Sequence, residues 1–206
     1  MCPLRGVGLT KSLHAGLPPR MEDIIKNLKG HSYYFIADWK SGYDTVPLKD
    51  KSQDLTAFRA YGLGLMRLTL LPQGYTNAMI EFCRRTSHML RSMKPEHTDS
   101  FVDNLFGMGP PMRYMDKLIP ENLNICQFIY EGVQVFQRLV SLIEMAGVTI
   151  SGEKLVVATP ALMALGTVVS LLGGHIMHEI TAKILKWPVC QSVLDVCGFL
   201  GTVGVV

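Results

Sequence analysis

The sequence predicts an α+β domain, an antiparallel sheet with helices packed on one face. Three observations predict it. Short aromatic and β-branched runs end in turn residues, as in Tyr34-Phe35-Ile36-Ala37-Asp38. Two longer stretches repeat apolar residues at helical spacing. The segments follow one another in the order β-β-β-α-β-α-β-β.

Residues 1–31 are rich in turn formers, with Gly6, Gly8, Gly16 and Pro18-Pro19, and residues 22–28 read as a short helix. Residues 32–38 predict a strand that ends in an acid, and Ser41-Gly42-Tyr43 turns the chain. Residues 56–71 alternate weakly and predict a hairpin through Gly62 and Gly64, broken by Pro72-Gln73-Gly74. Residues 76–93 predict a helix, with Ala78, Phe82, Met89 and Leu90 at helical spacing. Its Arg84, Arg85 and Arg91 read as a solvated face.

Residues 100–106 read as one strand, closed by Gly107-Met108-Gly109-Pro110-Pro111, and a polar irregular stretch follows to Asn124. Residues 125–145 predict the longest helix, with Phe128, Ile129, Val133, Phe136, Val140 and Ile143 on one face and Gly147 as its stop. Short strands are expected near 148–150, 156–158 and 165–172, then a helix over 179–185 before Trp187-Pro188. A last amphipathic segment begins near Ser192.

At 206 residues the chain can bury a real core. Its net charge of +3 is compatible with a polyanionic partner without requiring one. Five scattered cysteines, with no CxxC pair, read as free thiols in a reducing compartment. Residues 1–20 lack the apolar run of a signal peptide. Residues 155–174 carry no charge, but Pro160, Gly166, Gly173 and Gly174 divide them into short β-branched runs that read as buried strands rather than a membrane span.

Two carboxylates stand out. Asp38 and Asp103 each follow an aromatic-apolar run and precede a polar turn. Acids at adjacent strand ends suit divalent metal and phosphate. In two-metal phosphoryl transfer such a pair holds two ions about 3.5–4 Å apart, one activating the attacking hydroxyl and one steadying the leaving pyrophosphate. Mg²⁺ suits the task, because it accepts one or two carboxylates and completes its shell with water and substrate phosphate. Taken singly, either Asp reads as a turn former, and only the pair points to a site.

The motifs around these acids resemble a known family. Ile36-Ala37-Asp38-Trp39-Lys40-Ser41-Gly42-Tyr43-Asp44 resembles the first catalytic motif of reverse transcriptases of gypsy-type long-terminal-repeat retrotransposons, and Leu71-Pro72-Gln73-Gly74-Tyr75-Thr76-Asn77-Ala78 the second. Phe101-Val102-Asp103-Asn104 stands where that family has an aromatic, any residue, and Asp-Asp. Ala146 through Lys154 is similar to the next palm motif, Leu165-Gly166 through Gly173-Gly174 to the following hairpin. Trp187-Pro188 and Gly198-Phe199-Leu200-Gly201 are similar to the segment leading out of the palm. The variant is most similar to elements of fungal genomes.

The resemblance implies a right-hand polymerase. Residues 1–31 would be partial fingers, 32–175 the palm with a fingers insertion near 48–72, and 176–206 the start of the segment leading to thumb and connection. Asp38 and Asp103 would hold two Mg²⁺ or Mn²⁺ ions. Tyr43 would sense the 2′ position of the incoming sugar, and Gln73 and Gly74 would lie against nucleotide and template. Lys154 would assist near the leaving pyrophosphate, and Arg5 and Lys11 would reach the triphosphate.

The implied partners are a primer–template duplex, RNA–DNA or DNA, and deoxynucleoside triphosphates, with no membrane. Neighbouring ribonuclease H and integrase domains are implied if the element is intact. The implied location is intracellular, in the cytoplasm within a virus-like particle or in the nucleus.

The chain departs from the pattern at Asn104, which keeps the shape of the second Asp and loses its charge. Met108 and Cys197 replace residues that are often Lys and Arg, which removes positive charge from a surface expected to face a phosphate backbone. The expectation is a polymerase by descent with impaired nucleotidyl transfer. The alternatives are a non-enzymatic nucleic-acid-binding remnant and an inert pseudogene product.

Overall fold

The computed structural model describes residues 19–204. In chain order it contains α1 (Met21–Leu28), β1 (Tyr34–Asp38), α2 (Asp50–Gln53), β2 (Phe58–Ala60), β3 (Gly64–Met66), α3 (Ala78–Leu90), β4 (Thr98–Phe101) and β5 (Asn104–Met108). These are followed by β6 (Leu118–Ile119), β7 (Asn122–Cys126), α4 (Gln127–Ala146), β8 (Val156–Thr159), β9 (Ala161–Ala164), β10 (Thr167–Ser170), β11 (Gly173–Ile176), α5 (His178–Leu185) and α6 (Val193–Val203).

Strand β1 is the centre of the architecture. It pairs antiparallel with β5 on one side and β8 on the other, in a four-stranded sheet of order β4-β5-β1-β8. Successive side chains of a strand point to opposite faces. Phe35 and Ala37 join Phe82 and Leu90 of α3 and Leu139 and Ile143 of α4 in one core. Tyr34 joins Ile24 and Leu28 of α1, Phe106 and Met108 of β5, and Leu162 and Val169 of the second sheet in another. Both faces are covered, so the β1 sequence is nearly all apolar instead of alternating.

The two long helices therefore share one face of the sheet. The short α1 lies on the other, beside a three-stranded antiparallel sheet of order β11-β10-β9. Its Ile24 and Leu28 are buried while Glu22 and Asp23 face solvent, so a single apolar stripe is enough to dock it. Gly107 of β5 sits directly opposite Phe35, and a Cβ there would fall inside the Phe35 ring. Glycine lets the ring lie flat on the strand.

Several expectations are corrected. Residues 100–106 do not form one strand: the chain reverses within them, between β4 and β5. The stretch before Asn124 is not wholly irregular, because β6 and β7 pair in a small hairpin. Residues 148–150 contribute only a bridge from Ile150 to Trp39. The uncharged run from 155 to 174 folds as strands, yet Val156, Val157, Met163 and Leu172 are exposed, so only part of it is buried sheet.

Among the described residues no helix is long and apolar enough to cross a membrane. Met108 is fully buried against α1 and the second sheet, so its side chain does not face a phosphate backbone. Cys197 is exposed, as a surface role needs, and Cys83, Cys126 and Cys190 are also free thiols.

Candidate active site

The site forms where β1 ends beside the β4–β5 turn. Asp38 is the register partner of Asn104, and the Trp39 N–H donates to the Asp103 carbonyl at 2.9 Å. A third segment ties in from the far side. The Ser151 N–H donates to the Asp38 carbonyl at 2.8 Å, and the Lys40 N–H to the Thr149 carbonyl at 2.9 Å. Ladder hydrogen bonds thus bring residues distant in sequence to one sheet end.

Asp103 does not close a strand. With Val102 it forms the two-residue loop of the β4–β5 hairpin, since Phe101 pairs with Asn104. Val102 has φ +52. Among these loop residues only Val102 has a positive φ, which is the type II′ pattern, and that turn favours glycine at its first central position. A β-branched residue there is strained, and such strain persists only where the surroundings over-determine it. The flanking ladder and the bond from Trp39 supply that restraint. The hairpin escapes the sequence because Val102 carries no turn signature.

Lys154 joins the carboxylates. Its Nζ donates to Asp38 Oδ2 at 2.9 Å. The Asp38 side chain is only 13% exposed, whereas that of Lys154 is 65% exposed. The hydrogen bond and charge of Asp38, with a further contribution from Asp103, hold the Lys154 ammonium above the usual lysine range.

Tyr43 lies in a 3-10 turn, Gly42–Thr45, and stacks on Phe82 of α3 with ring centroids 4.8 Å apart. Gly42 permits this approach, because a Cβ there would meet the Phe82 ring at 2.5 Å. Burial raises the Tyr43 hydroxyl above its ordinary pKa, and the neighbouring Cys83 and Asp103 add to the rise. Asp38, Asp103, Asn104, Lys154 and Tyr43 are thus brought together. Sequence reasoning missed Phe82 as the platform for Tyr43. Its helical spacing marked it only as core.

Gln73 and Gly74 are exposed just before α3, with Gly74 at φ +87. Among the described residues no hydrogen bond or ion pair joins them to the carboxylates. Arg5 and Lys11 lie outside the described residues. The arginines of α3 are not a uniformly solvated face. Arg84 pairs with the largely buried Glu81 at 2.7 Å, and burial lowers the Arg85 guanidinium pKa.

The donor set fits a divalent ion. Among the described residues no three His, Cys, Asp or Glu side chains cluster, so any metal would rest on Asp38 and Asp103 with substrate oxygens. A cation already seeks this position, since the Lys154 ammonium is in contact with Asp38. The Asn104 amide adds a neutral oxygen where a carboxylate would add charge.

Comparisons with known proteins bear on the family and the fold. The family description "Reverse transcriptase (RNA-dependent DNA polymerase)" matches residues 3–188. The chain is 28% identical over 109 residues to the retrovirus-related Pol polyprotein from transposon 412 of Drosophila melanogaster, a match that covers 53% of this chain and 9% of that protein. Among solved structures, a foamy viral protease-reverse transcriptase in complex with double-stranded DNA superposes with a TM-score of 0.77 at 19% identity, over 94% of this chain and 31% of that one. The foamy viral enzyme in complex with an RNA/DNA hybrid superposes with a TM-score of 0.73 at 19% identity, over 93% of this chain and 23% of that one.

At 19% identity these likenesses speak for the fold, a mixed arrangement of the fingers-and-palm kind. The chain spans less than a third of each of these three relatives. With the family description covering residues 3–188, the chain belongs to the reverse transcriptase family, as a domain related to those of retroviral and retrotransposon Pol polyproteins.

Proposed function

We propose that this chain is the fingers-and-palm part of a gypsy-type retrotransposon polyprotein, of the variety found in fungi, and that it descends from a two-metal, template-directed DNA polymerase with weakened nucleotidyl transfer. The observation that carries the reading is the placement of Asp38 and Asp103 at one sheet end, joined by β1–β5 pairing and by the bond from Trp39 to Asp103. The proposed division follows the motifs, with the palm over residues 32–175 and a fingers insertion near 48–72. The hairpin β2–β3 lies within that insertion.

Each residue then has a role. Asp38 and Asp103 hold Mg²⁺ or Mn²⁺. Bound there, the ions would lower the pKa of the primer hydroxyl and neutralise charge on the leaving pyrophosphate. Tyr43, braced on Phe82, limits the space at the sugar 2′ position. Gln73 and Gly74 lie toward nucleotide and template, and Lys154 supplies positive charge to the phosphates. Arg5 and Lys11 are proposed to reach the triphosphate. The partners are a primer–template duplex and deoxynucleoside triphosphates.

Asn104 is the reason for weakened activity. Preorganised charge is usually the largest catalytic contribution, and removing one such group costs about 10²–10³ in rate. Primer extension on a primed RNA template with Mg²⁺ or Mn²⁺ tests this. Wild type is expected to extend barely, and Asn104→Asp to raise the rate by about a hundredfold. Strong wild-type extension that Asp38→Ala abolishes would refute the weakening, and extension indifferent to Asp38→Ala would refute the site.

A second reading is a nucleic-acid-binding remnant without synthesis. It is favoured by the same Asn104 and by the occupation of Asp38 by Lys154. It differs from the first in one result, binding of primer–template with no rescue of extension by Asn104→Asp.

A further inference from the structure

Lys154 is the exposed member of a closed pair. Its side chain is 65% exposed, while the Asp38 carboxylate is 13% exposed and fixed at the end of a central strand. The lysine also rises from a turn anchored on that strand. Ser151, three residues earlier, bonds the Asp38 carbonyl, and the Leu155 N–H closes the turn on the Gly152 carbonyl at 3.3 Å. The ammonium is thus delivered to the carboxylate by a short tether, and a long exposed stem lets it leave.

We propose that Lys154 is a tethered counter-cation that closes Asp38 in the resting protein, yields it to a divalent ion, and then transfers to the phosphates of the nucleotide. This rests on the reading of Asp38 and Asp103 as metal-holding residues. Their two negative charges are offset by one from Lys154, leaving the site at −1. With Asn104 neutral, the lysine cancels half of the carboxylate charge available to a metal. A compact ammonium on a flexible stem suits such an exchange, because its three donors have no fixed fork to preserve. Asp38 and Asp103 would hold a divalent ion by the same oxygens, against a greater charge than the ammonium brings. Lys154, released from Asp38, would then stand beside any phosphate that such an ion carries.

The lysine should therefore oppose metal binding in the empty site and support nucleotide binding in the filled one. Mn²⁺ titration of the whole chain, followed by electron paramagnetic resonance, tests the first half without any turnover. Lys154→Gln is expected to bind Mn²⁺ about threefold more tightly than wild type, the scale of a partly exposed ion pair. Lys40→Gln removes a nearby exposed charge that does not pair with Asp38, and is expected to change little. In the presence of a deoxynucleoside triphosphate the sign should reverse, with Lys154→Gln retaining the Mn²⁺–nucleotide complex less well.

Unchanged or weaker Mn²⁺ binding in Lys154→Gln, or equal tightening in Lys40→Gln, would overturn the counter-cation. Unchanged nucleotide retention would overturn the transfer. Asp38→Ala separates this inference from the reading beneath it. If Asp38→Ala loses Mn²⁺ and Lys154→Gln does not gain it, only the counter-cation fails. If Asp38→Ala binds Mn²⁺ like wild type, the metal site itself is wrong. Circular dichroism melts of each variant confirm that the compared proteins are folded.

Discussion

Tyr33 carries a hydroxyl into the core against α4, where it is 5% exposed and finds no hydrogen-bond partner among the described residues. Burial first, and then the charge of Glu131, lift its pKa from 10.0 to about 12. A raised value means that the folded state holds the proton more tightly than the unfolded chain. The contribution is fully present below about pH 10 and is lost as pH rises toward about 12. Tyr33→Phe removes both the orphaned hydroxyl and this sensitivity. Urea unfolding is expected to find the variant equal to wild type or about 1 kcal/mol more stable at neutral pH. Its stability should also decline less over the alkaline range. A less stable variant at neutral pH would mean that the hydroxyl has a stabilising partner. Residue-scale chemistry of this kind is hidden in a sequence, because Tyr33 and Tyr34 are adjacent and alike on paper. Only strand alternation sends one to the helical face and the other to the second sheet.

Helix α6 depends on its cap. Ser192 accepts from the Asp195 N–H at 3.2 Å, and the Asp195 carboxylate accepts from the Ser192 and Gln191 N–H groups at 2.9 and 3.0 Å. No residue of α6 is buried, so local hydrogen bonds matter more than packing. The Ser192 side chain first, and then the backbone N–H groups of Gln191 and Ser192, hold the Asp195 carboxyl below the usual carboxylate range. A depressed value stabilises the helix above the unfolded pKa, and that stability is lost as pH falls through the folded one. Amide protection across α6, taken relative to the intrinsic exchange rate at each pH, should therefore fall on acidification. Ser192→Ala should cost the helix about 1 kcal/mol at neutral pH, and exchange unchanged in that variant would remove the cap from the account. Elements with such local signals were legible. The sequence places α4 within two residues of its observed ends, with Gly147 as its left-handed stop at φ +68. The β4–β5 hairpin was not legible, since Val102 at its first loop position lacks turn chemistry and is held by tertiary restraint. In the site, Asp38, Asp103, Tyr43 and Lys154 were readable as motif positions. The contact between Lys154 and Asp38, 116 residues apart, exists only once the third segment docks on β1.

Across the molecule, 20 basic and 17 acidic side chains leave a net charge of only +3. Several basic groups are already engaged: Arg67 with Asp54, Arg84 with Glu81, Lys94 with Asp99, Arg113 with Asp116, and Lys154 with Asp38. Large apolar side chains stand exposed at several places, among them the tip of β2–β3 with Tyr61 and Leu63, the β6–β7 region with Met115 and Leu123, the β10–β11 turn with Leu172, and α6 with Val193 and Leu194. Such a surface offers a polyanion modest electrostatic grip. Each phosphate neutralised contributes about −0.9 to the slope of log affinity against log salt on a duplex. Three neutralised phosphates give a slope of about −3, far shallower than the roughly −10 of a strongly electrostatic binder. Fluorescence anisotropy with a primer–template duplex at stepped salt measures the slope directly. The expected result is weak binding at low salt that fades with this shallow dependence, retained in Asp38→Ala because that acid is proposed to hold metal and not phosphate. No binding at low salt would exclude both the polymerase and the remnant. A slope near −10 would mean that far more basic side chains reach the duplex than this net charge suggests.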